Sequence, residues 1–382
     1  MKILVIGAGL MGRAAVYDLS RAVGVKEVGV YDIDKKLAQQ VAKKFGNKKT
    51  TGGAFNAGNV STAFKVLKNY DAAISCVTYK YNYGLTKAAI KAGCHFFDLG
   101  GNNDIVRKQF SLHKEAKKKN ILVIPDCGLA PGMVSVLTAD AISNFDKVES
   151  VRIRVGGLPQ KPRPPLNYQM VFSAEGLINE YWEPCLILKD GKKKIVEPMS
   201  EVEPLEFENV GRLEAFYTSG GTSTLPDTFA GEIPFLDYKT IRYPGHCERF
   251  RTMLEIGLAS REPVKADGQD VIPRELFKAV LDKNLSFGEP DMVLVRVTCE
   301  GVRRNEKYRV VHELIDREDS RSGLTAMMRT TAFPATIIAI MAAAGLIKEK
   351  GCRPQELAVN PKLFIDELRK RSINLTISET RI

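Results

Sequence analysis

The sequence predicts an α/β protein in two parts: a doubly wound parallel sheet, then an α+β domain with a largely antiparallel sheet. The length favours two domains, because 382 residues exceed what one ordinary core holds. Short apolar runs alternate with helical segments over residues 1–125, which is the order of a doubly wound fold. From about residue 150 the runs lengthen and alternate between apolar and polar residues, as half-exposed antiparallel strands do.

The first part is predicted to contain strands that are buried on both faces. Such strands are apolar runs without strict polar alternation. The runs lie at residues 2–7, 27–31, 71–76, 94–99 and 121–125. Segments with helical periodicity, such as residues 12–23 and 35–45, lie between them, so we expect helices to cover the sheet.

The second part is predicted to contain hairpins. Asp190 and Gly191 separate two β-forming runs, and an Asp-Gly pair suits the left-handed backbone of a tight turn. Residues 291–301 and 307–316 form another pair around residues 303–305. Hairpins with helices on one face would give a largely antiparallel sheet.

Three glycines follow the first predicted strand directly. Gly7, Gly9 and Gly12 stand in the pattern GxGxxG, between an apolar strand and a helix. Here the first glycine allows a tight turn, the second lets the backbone approach a pyrophosphate, and the third lets helix and strand pack closely. Asp32 follows twenty residues later, where a carboxylate can accept hydrogen bonds from a ribose. This context predicts a Rossmann domain that binds a dinucleotide, and a glycine turn without a ligand is the alternative.

Asp32 also bears on the kind of dinucleotide. Its carboxylate would repel the extra phosphate of NADP, and no arginine follows directly, although Lys35 and Lys36 are near. NAD is therefore the predicted cofactor and NADP the alternative. The predicted cofactor contacts come from the glycine loop, the acid, and the ends of the later strands. They are Gly7, Gly9, Leu10, Met11, Gly12, Asp32, Cys76, Val77, Thr78, Asp98 and Gly100.

Composition and charge argue against several other classes of protein. The net charge of +11 comes with scattered lysine doublets and triplets that lack interleaved aromatic residues, so we expect no nucleic-acid partner. Seven cysteines without CxxC spacing, and a first strand that starts at Lys2, predict a cytoplasmic protein without a metal site or signal peptide. The uncharged stretch Thr330–Ile347, with Pro334 near its start and Gly345 near its end, predicts a buried helix rather than a membrane span.

Several motifs resemble, in matching order, those of the saccharopine reductase and lysine 6-dehydrogenase family. They are SCVTYKYN (75–82), DCGLAPGM (126–133), VGGLPQ (155–160), PLNYQMVFSAEGLINEY (165–181), KTIRYPGH (239–246) and TTAFPATIIA (330–339). The resemblance covers roughly residues 1–350 and implies a homodimer. It also implies three regions: an NAD-binding domain at 1–127 completed by helices at about 320–350, a substrate-binding and dimerisation domain at 128–319, and a C-terminal extension at 351–382.

Two departures from saccharopine reductases favour the family members that oxidise free lysine. Saccharopine reductases carry a longer substrate domain and usually an acidic residue before the Pro-Gly of the domain junction, where this chain has Ala130. The resemblance therefore implies NAD-dependent oxidation of L-lysine at its ε-carbon. The products would be ammonia, NADH and 2-aminoadipate 6-semialdehyde, which cyclises. A saccharopine or carboxynorspermidine-type reductase is one alternative, and a non-catalytic NAD-binding sensor is another.

Arg242 is the predicted anchor for a substrate carboxylate. It lies near a predicted strand end, and a planar guanidinium matches a carboxylate in two parallel hydrogen bonds. An ordinary surface ion pair is the alternative. The predicted substrate-binding residues are Arg242, Tyr168, Ser173 and Glu180, with simple packing as the alternative for Tyr168.

Three residues are candidates for holding the substrate ammonium or taking its proton. Asp126 ends the last strand of the first part, where ligands of open α/β sheets bind, although it could instead cap the next helix. Tyr79 follows the fourth strand, and His246 stands beside Arg242, where a structural role is also open. The catalytic candidates are thus Asp126, Tyr79 and His246.

Overall fold

The computed structural model describes residues 1–382, which divide into two compact units. The first unit comprises Met1–Ser143, Ser223–Leu225 and Met328–Asn374. The second comprises Asn144–Thr222, Pro226–Met327 and Leu375–Ile382. Residues 128–143 and 351–374 therefore lie in the first unit, whereas the sequence placed them in the substrate domain and in a C-terminal extension.

The elements run as follows along the chain. Residues 1–143 contain β1 (Lys2–Ile6), α1 (Leu10–Arg21), β2 (Glu27–Asp32), α2 (Lys35–Phe45), β3 (Thr50–Ala54), α3 (Val60–Leu67), β4 (Ala72–Ser75), a 3₁₀ helix (Tyr79–Tyr81), α4 (Asn82–Ala92), β5 (His95–Asp98), α5 (Asn103–Phe110), α6 (His113–Lys118), β6 (Leu122–Ile124) and α7 (Met133–Ile142). The middle of the chain contains β7 (Lys147–Pro159), α8 (Ala174–Trp182), β8 (Cys185–Lys189), β9 (Lys192–Val196), β10 (Glu203–Phe207), β11 (Gly211–Tyr217), α9 (Leu225–Phe229), β12 (Phe235–Arg242), α10 (His246–Glu255), β13 (Val264–Ala266), β14 (Gln269–Val271), α11 (Pro273–Leu285), β15 (Asp291–Arg303) and β16 (Glu306–Arg317). The chain ends with α12 (Ala326–Ala343), β17 (Gly351–Cys352), α13 (Gln355–Ala358), α14 (Pro361–Lys370) and β18 (Leu375–Arg381).

The first unit is built on a seven-stranded sheet in the order β17-β6-β5-β4-β1-β2-β3, with every neighbouring pair parallel. The predicted doubly wound fold is confirmed. The strand order reverses between β1 and β4, and ligands of open α/β sheets bind beyond the carboxyl ends of the strands at such a point. The segments after β1 and β4 are therefore where a dinucleotide belongs.

The strand β3 was not predicted from the sequence, because its segment, TTGGA, contains no apolar run. Close contacts with neighbouring elements leave no room for a side chain at its two glycines. A Cβ on Gly52 would stand 2.7 Å from the backbone of Ala38, and one on Gly53 would stand 2.4 Å from the Tyr31 ring. The strand exists because a parallel neighbour, β2, supplies its hydrogen-bond partners.

The second unit contains a mixed, largely antiparallel sheet along the path β10-β11-β12-β7-β15-β16-β18, in which only β12 and β7 run parallel. Both predicted hairpins are present. Asp190 and Gly191 turn β8 into β9, and Arg304 and Asn305 turn β15 into β16, all with positive φ. The fold class predicted from the sequence is thus confirmed for both parts.

The apolar helix α12 is long and apolar enough, by length and composition, to cross a membrane, but 83% of it is buried inside the protein. This is the burial expected of a core helix. Pro334 lies inside the helix and not in its first turn, because α12 begins earlier, at Ala326. The position predicted for the proline relative to the helix start was therefore wrong.

Candidate functional site

The glycine loop after β1 leaves room for a phosphate group. A Cβ on Gly9 would meet nothing within 4 Å, and no side chain caps the start of α1 at this residue. The first N–H groups of α1 are therefore open to an anion. Gly7 and Gly12 are constrained instead, since a Cβ on Gly12 would stand 1.9 Å from the Gly7 oxygen. This is the division of roles that the motif predicts.

Asp32 lies half-buried at the end of β2 beside that loop. One of its oxygens accepts a hydrogen bond from the Ala8 N–H at 2.7 Å, and the other accepts one from the Asp34 N–H at 3.0 Å. Each oxygen keeps a second lone pair for a ribose hydroxyl. The open helix end, the uncrowded Gly9 and this carboxylate fit a nicotinamide dinucleotide.

The segment after β4 packs against the glycine loop. A Cβ on Gly7 would come within 3.0 Å of the Cys76 oxygen and of a Val77 methyl group. Burial raises the pKa of the Cys76 thiol to about 12, so this thiol stays protonated at neutral pH. Thr78, two residues later, is exposed. At the start of α1, Leu10 is exposed and Met11 is half-buried.

Asp126 is a buried carboxyl group with an unpaired oxygen. Its backbone is left-handed (φ +60°), and its side chain is 2% exposed. One carboxyl oxygen accepts a hydrogen bond from the Ser223 hydroxyl, whereas Oδ1 has no partner. Burial first, and then the nearby Asp98, raise the pKa of Asp126 to about 7, although the Ser223 hydroxyl lowers it. Such a group can both accept and release a proton near neutral pH.

Two glycines after β5 make room for this carboxyl group and for Tyr79. A Cβ on Gly100 would stand 1.9 Å from Asp126 Oδ1, and one on Gly101 would stand 3.1 Å from the Tyr79 ring. The structure thus brings Asp126, Gly100 and Tyr79 together at the carboxyl edge of the first sheet. It does not leave space there for a side chain at either glycine.

Asp98 is completely buried, and its side chain binds the main chain at Gly100 and Asp126. Its oxygens accept hydrogen bonds from the Gln109 amide at 2.7 Å, the Gly100 N–H at 2.8 Å and the Asp126 N–H at 3.3 Å. The predicted contact between Asp98 and the cofactor does not fit this placement, because the side chain is buried and both of its oxygens already accept hydrogen bonds from the protein. Its position supports the loop that carries Asp126.

In the second unit, Arg242 ends β12 and is 2% exposed. Its Nε donates to the Tyr181 hydroxyl at 2.7 Å, and Nη1 donates to the Ile241 oxygen at 2.8 Å. The guanidinium also lies 4.8 Å from the centre of the Tyr168 ring. It forms no ion pair with any carboxylate. Removing such a charge from water is costly unless a partner anion restores the lost interaction, and an anionic ligand would supply that partner.

A chain of hydrogen bonds orients Arg242. His246 is completely buried; its Nδ1 lies 2.9 Å from the Leu166 oxygen and its Nε2 lies 3.1 Å from the Tyr181 hydroxyl. A carbonyl oxygen only accepts, so Nδ1 carries the proton, Nε2 accepts from Tyr181, and the Tyr181 oxygen accepts from Arg242. Burial, and then Arg242, lower the pKa of His246 to about 3. A neutral ring with both nitrogens engaged has no site for a substrate proton.

The other predicted substrate-binding residues lie on or near α8. Tyr168 is completely buried beside Arg242, and Glu180 is half-buried on α8. Ser173 caps the start of α8 by accepting a hydrogen bond from the Gly176 N–H at 3.2 Å. This capping contact accounts for Ser173 without a ligand. Sequence reasoning missed Tyr181 and Ser223, since each partner lies far away along the chain.

Two open surface grooves lie elsewhere. One, of about 450 Å³, follows α2 and β3, and the other, of about 710 Å³, crosses the exposed face of β15 and β16. Neither groove is lined by a residue of the glycine loop, by Asp126 or by Arg242.

The parallel sheet and the glycine loop, with its neighbouring acid, define a dinucleotide-binding domain of the kind that NAD(P)-dependent dehydrogenases contain. Residues 3–124 match the family model described as the saccharopine dehydrogenase NADP binding domain, and residues 128–373 match the saccharopine dehydrogenase C-terminal domain. The chain therefore belongs to the saccharopine dehydrogenase family. The predicted family is confirmed at this level, while the narrower assignment to lysine 6-dehydrogenases stays a prediction.

Two characterised relatives and one solved structure illustrate the similarity. The chain is 21% identical to the carboxyaminopropylagmatine dehydrogenase of Synechocystis sp., over 96% of this chain and 95% of that relative. It is 21% identical to the saccharopine dehydrogenase [NADP(+), L-glutamate-forming] of Schizosaccharomyces pombe, over 85% of this chain and 71% of the relative. The apo saccharopine dehydrogenase (L-Glu forming) from Saccharomyces cerevisiae has the same fold, with a TM-score of 0.81, 20% identity and 99% coverage of both chains.

Proposed function

We propose that the protein is an NAD-dependent dehydrogenase that oxidises a carbon–nitrogen bond of an amino-acid substrate, with L-lysine at its ε-carbon as the first candidate. The observation that carries the proposal is the buried Arg242, a cation without an ion-pair partner. An amino-acid carboxylate would supply the missing anion. When bound, the nicotinamide accepts a hydride from the carbon next to nitrogen.

Asp126 is the proposed proton acceptor. An amine can release hydride only after its ammonium form has lost a proton, from an ordinary pKa of about 10.4 for lysine. Oδ1 of Asp126 has a free lone pair, and its pKa of about 7 leaves a substantial fraction ionised at neutral pH. Ser223 holds the other oxygen and thereby fixes the direction in which Oδ1 points.

His246 is proposed as a positioning residue and not as the base. Its ring holds the Tyr181 hydroxyl, and that hydroxyl holds Nε of Arg242. This arrangement leaves Nη2 of Arg242 without a hydrogen-bond partner, and Nη2 is the proposed donor to the substrate carboxylate.

Asp32 supports NAD as the cofactor, although the matching family model bears the name of an NADP binding domain. One Asp32 oxygen accepts a hydrogen bond from the Ala8 N–H of the glycine loop, where a negative charge disfavours the extra phosphate of NADP. The homodimer and the cytoplasmic location stay predictions, and light scattering after size-exclusion chromatography would check the first of them.

A larger secondary amine is the second candidate substrate. The names of both relatives favour it, and the Synechocystis relative is covered almost end to end, so chain length does not decide against it. The test is to incubate the protein with NAD or NADP and a panel of amino acids while measuring reduced cofactor and ammonia. Lysine-dependent release of both supports the first candidate. Saccharopine turnover far faster than lysine turnover supports the second, and turnover of no amine overturns the proposal.

A further inference from the structure

The main chain of Asp126 is held by side chains from distant parts of the first unit. Its backbone is left-handed, a conformation that a residue with a Cβ adopts only where its surroundings favour it. Its N–H donates to an Asp98 carboxyl oxygen at 3.3 Å, and its carbonyl oxygen accepts a hydrogen bond from the Gln355 side-chain amide at 3.1 Å. These two bonds hold the peptide groups on both sides of the Asp126 Cα. They therefore fix the direction in which the side chain leaves the backbone.

The pairing of β17 with β6 brings Gln355 to this carbonyl oxygen. The two strands are parallel, and Cys352 lies opposite Val123. Asp126 follows Val123 by three residues, and Gln355 follows Cys352 by the same number. A hydrogen bond from the Arg353 N–H to the Val123 oxygen at 2.9 Å extends the alignment past the strand. Because parallel neighbours advance together along a sheet, Gln355 comes to lie beside Asp126.

We propose that Gln355 is a positioning residue for the proton acceptor: its amide holds the Asp126 carbonyl oxygen and thereby directs Oδ1 toward the substrate nitrogen. The inference rests on the proposed function, because it concerns the step in which Asp126 takes the amine proton. In that step the proton passes from the substrate ammonium to Oδ1, and Gln355 neither gives nor accepts a proton. A segment near the end of the chain, which the sequence placed in an extension, would then serve the reaction.

The surroundings of Gln355 support this role. Its side chain is 1% exposed, and its amide nitrogen also donates to the Ser135 hydroxyl on α7 at 3.4 Å, so both amide hydrogens are used. The next residue, Glu356, is close enough for its charge to act on the Asp126 carboxyl, where it adds to the effects of burial and of Asp98 in raising the pKa. The helix α13 thus lies beside both the main chain and the carboxyl group of Asp126. The amide supplies its hydrogen bond without adding a second charge there.

The experiment compares Gln355→Met, which keeps the length of the side chain and removes the amide, with the wild type and with Asp126→Asn. The kcat for the amine substrate should fall roughly tenfold to hundredfold, since a small misplacement of a reacting group causes losses of this size. KM and NAD affinity should change by less than about twofold, because the residue contacts neither ligand. In the Asp126→Asn background the same change should alter kcat by less than about twofold, because Gln355 acts only through that carboxyl.

Gln160→Met is the matched control. It also removes a side-chain amide that donates to a main-chain oxygen, that of Asp291 at 2.9 Å, and it should leave kcat unchanged. Gln355→Asn keeps the amide but is one methylene too short for the Asp126 oxygen, so it should reproduce the loss even where the methionine variant is unstable. Independent losses of kcat in the double variant would overturn the inference, and so would the failure of both Gln355 variants to fold.

Crystal structures of the wild type and of Gln355→Met distinguish this inference from the proposed function. We expect Oδ1 of Asp126 to lie about 1 Å or more from its wild-type position in the variant. An Asp126 that keeps its place would refute the role of Gln355, even where amines are oxidised. A displaced Asp126 in a protein that turns over no amine would remove the proposed function and leave the positioning by Gln355 in force.

Discussion

Replacing Asp126 by asparagine is expected to stabilise the protein near neutral pH while it suppresses turnover. In the folded protein the pKa of Asp126 is raised from 3.8 to about 7, chiefly by burial. Each pKa unit corresponds to about 1.36 kcal/mol, so ionising this group costs the folded state about 4 kcal/mol above pH 7. Asparagine has nearly the same shape and no charge, and it avoids that cost.

The sign of the pH dependence follows from the direction of the shift. Below about pH 4 the carboxyl is protonated in both the folded and the unfolded chain, so it makes no difference to stability. Between about pH 4 and pH 7 the folded protein retains a proton that the unfolded chain has lost, and the cost of ionisation grows as the pH rises. The variant should therefore gain about 1 kcal/mol over the wild type at about pH 4.5 and about 4 kcal/mol at about pH 8.

Urea unfolding followed by circular dichroism at these two pH values measures the difference. Asp104→Asn, at an exposed position on α5, is the matched control and should change stability by no more than about 0.5 kcal/mol at either pH. Turnover of Asp126→Asn should fall by roughly a hundredfold or more and recover partly at high pH, where free amine becomes available. An equal gain in stability at both pH values would refute the raised pKa.

Three further changes test the remaining residues. Arg242→Lys keeps the charge but loses the planar fork, so kcat/KM for lysine should fall about a hundredfold, equivalent to about 2.7 kcal/mol, with NAD affinity unchanged; equal damage to oxidation of a simple diamine would contradict the carboxylate anchor. Asp32→Ala combined with Ile33→Arg should shift the ratio of kcat/KM values toward NADP, and unchanged NAD affinity would remove Asp32 from the site. Gly100→Ala should abolish turnover, because the added methyl would stand 1.9 Å from the proposed base, whereas Gly93→Ala, at the same φ of +76° but in open space, should cost only about 1–2 kcal/mol of backbone strain in urea unfolding. Equal activity of the two alanine variants would contradict this geometry.

Local patterns carried much of the fold prediction. The glycine loop, α1 and β2 follow each other closely along the chain, so the residue types at Gly7, Gly9 and Asp32 were enough to predict the arrangement observed. The hairpin at Asp190 and Gly191 was predictable for the same reason, since two adjacent residues determine the turn. The apolar runs of the buried strands were equally visible, because burial on both faces selects the same residue types at every position.

The site itself depends on contacts between distant parts of the chain. Ser223 lies 97 positions from Asp126, and Tyr181 lies 61 positions from Arg242, so no local pattern points from one partner to the other. The strand β18 likewise exists because it pairs with β16, although its segment alternates without a clear apolar face.

The sequence by itself determined which residue types stand after each strand, and hence that a dinucleotide and a carboxylate are suitable ligands. Only the tertiary structure decided that Asp98 is buried and binds the main chain of Asp126, that His246 has no free nitrogen, and that Asp126 keeps one unpaired oxygen. The physical reason is that a side chain's pKa and hydrogen-bonding capacity depend on its burial and its neighbours. Both of these are set by packing across the fold, and the order of residues in a segment does not reveal them.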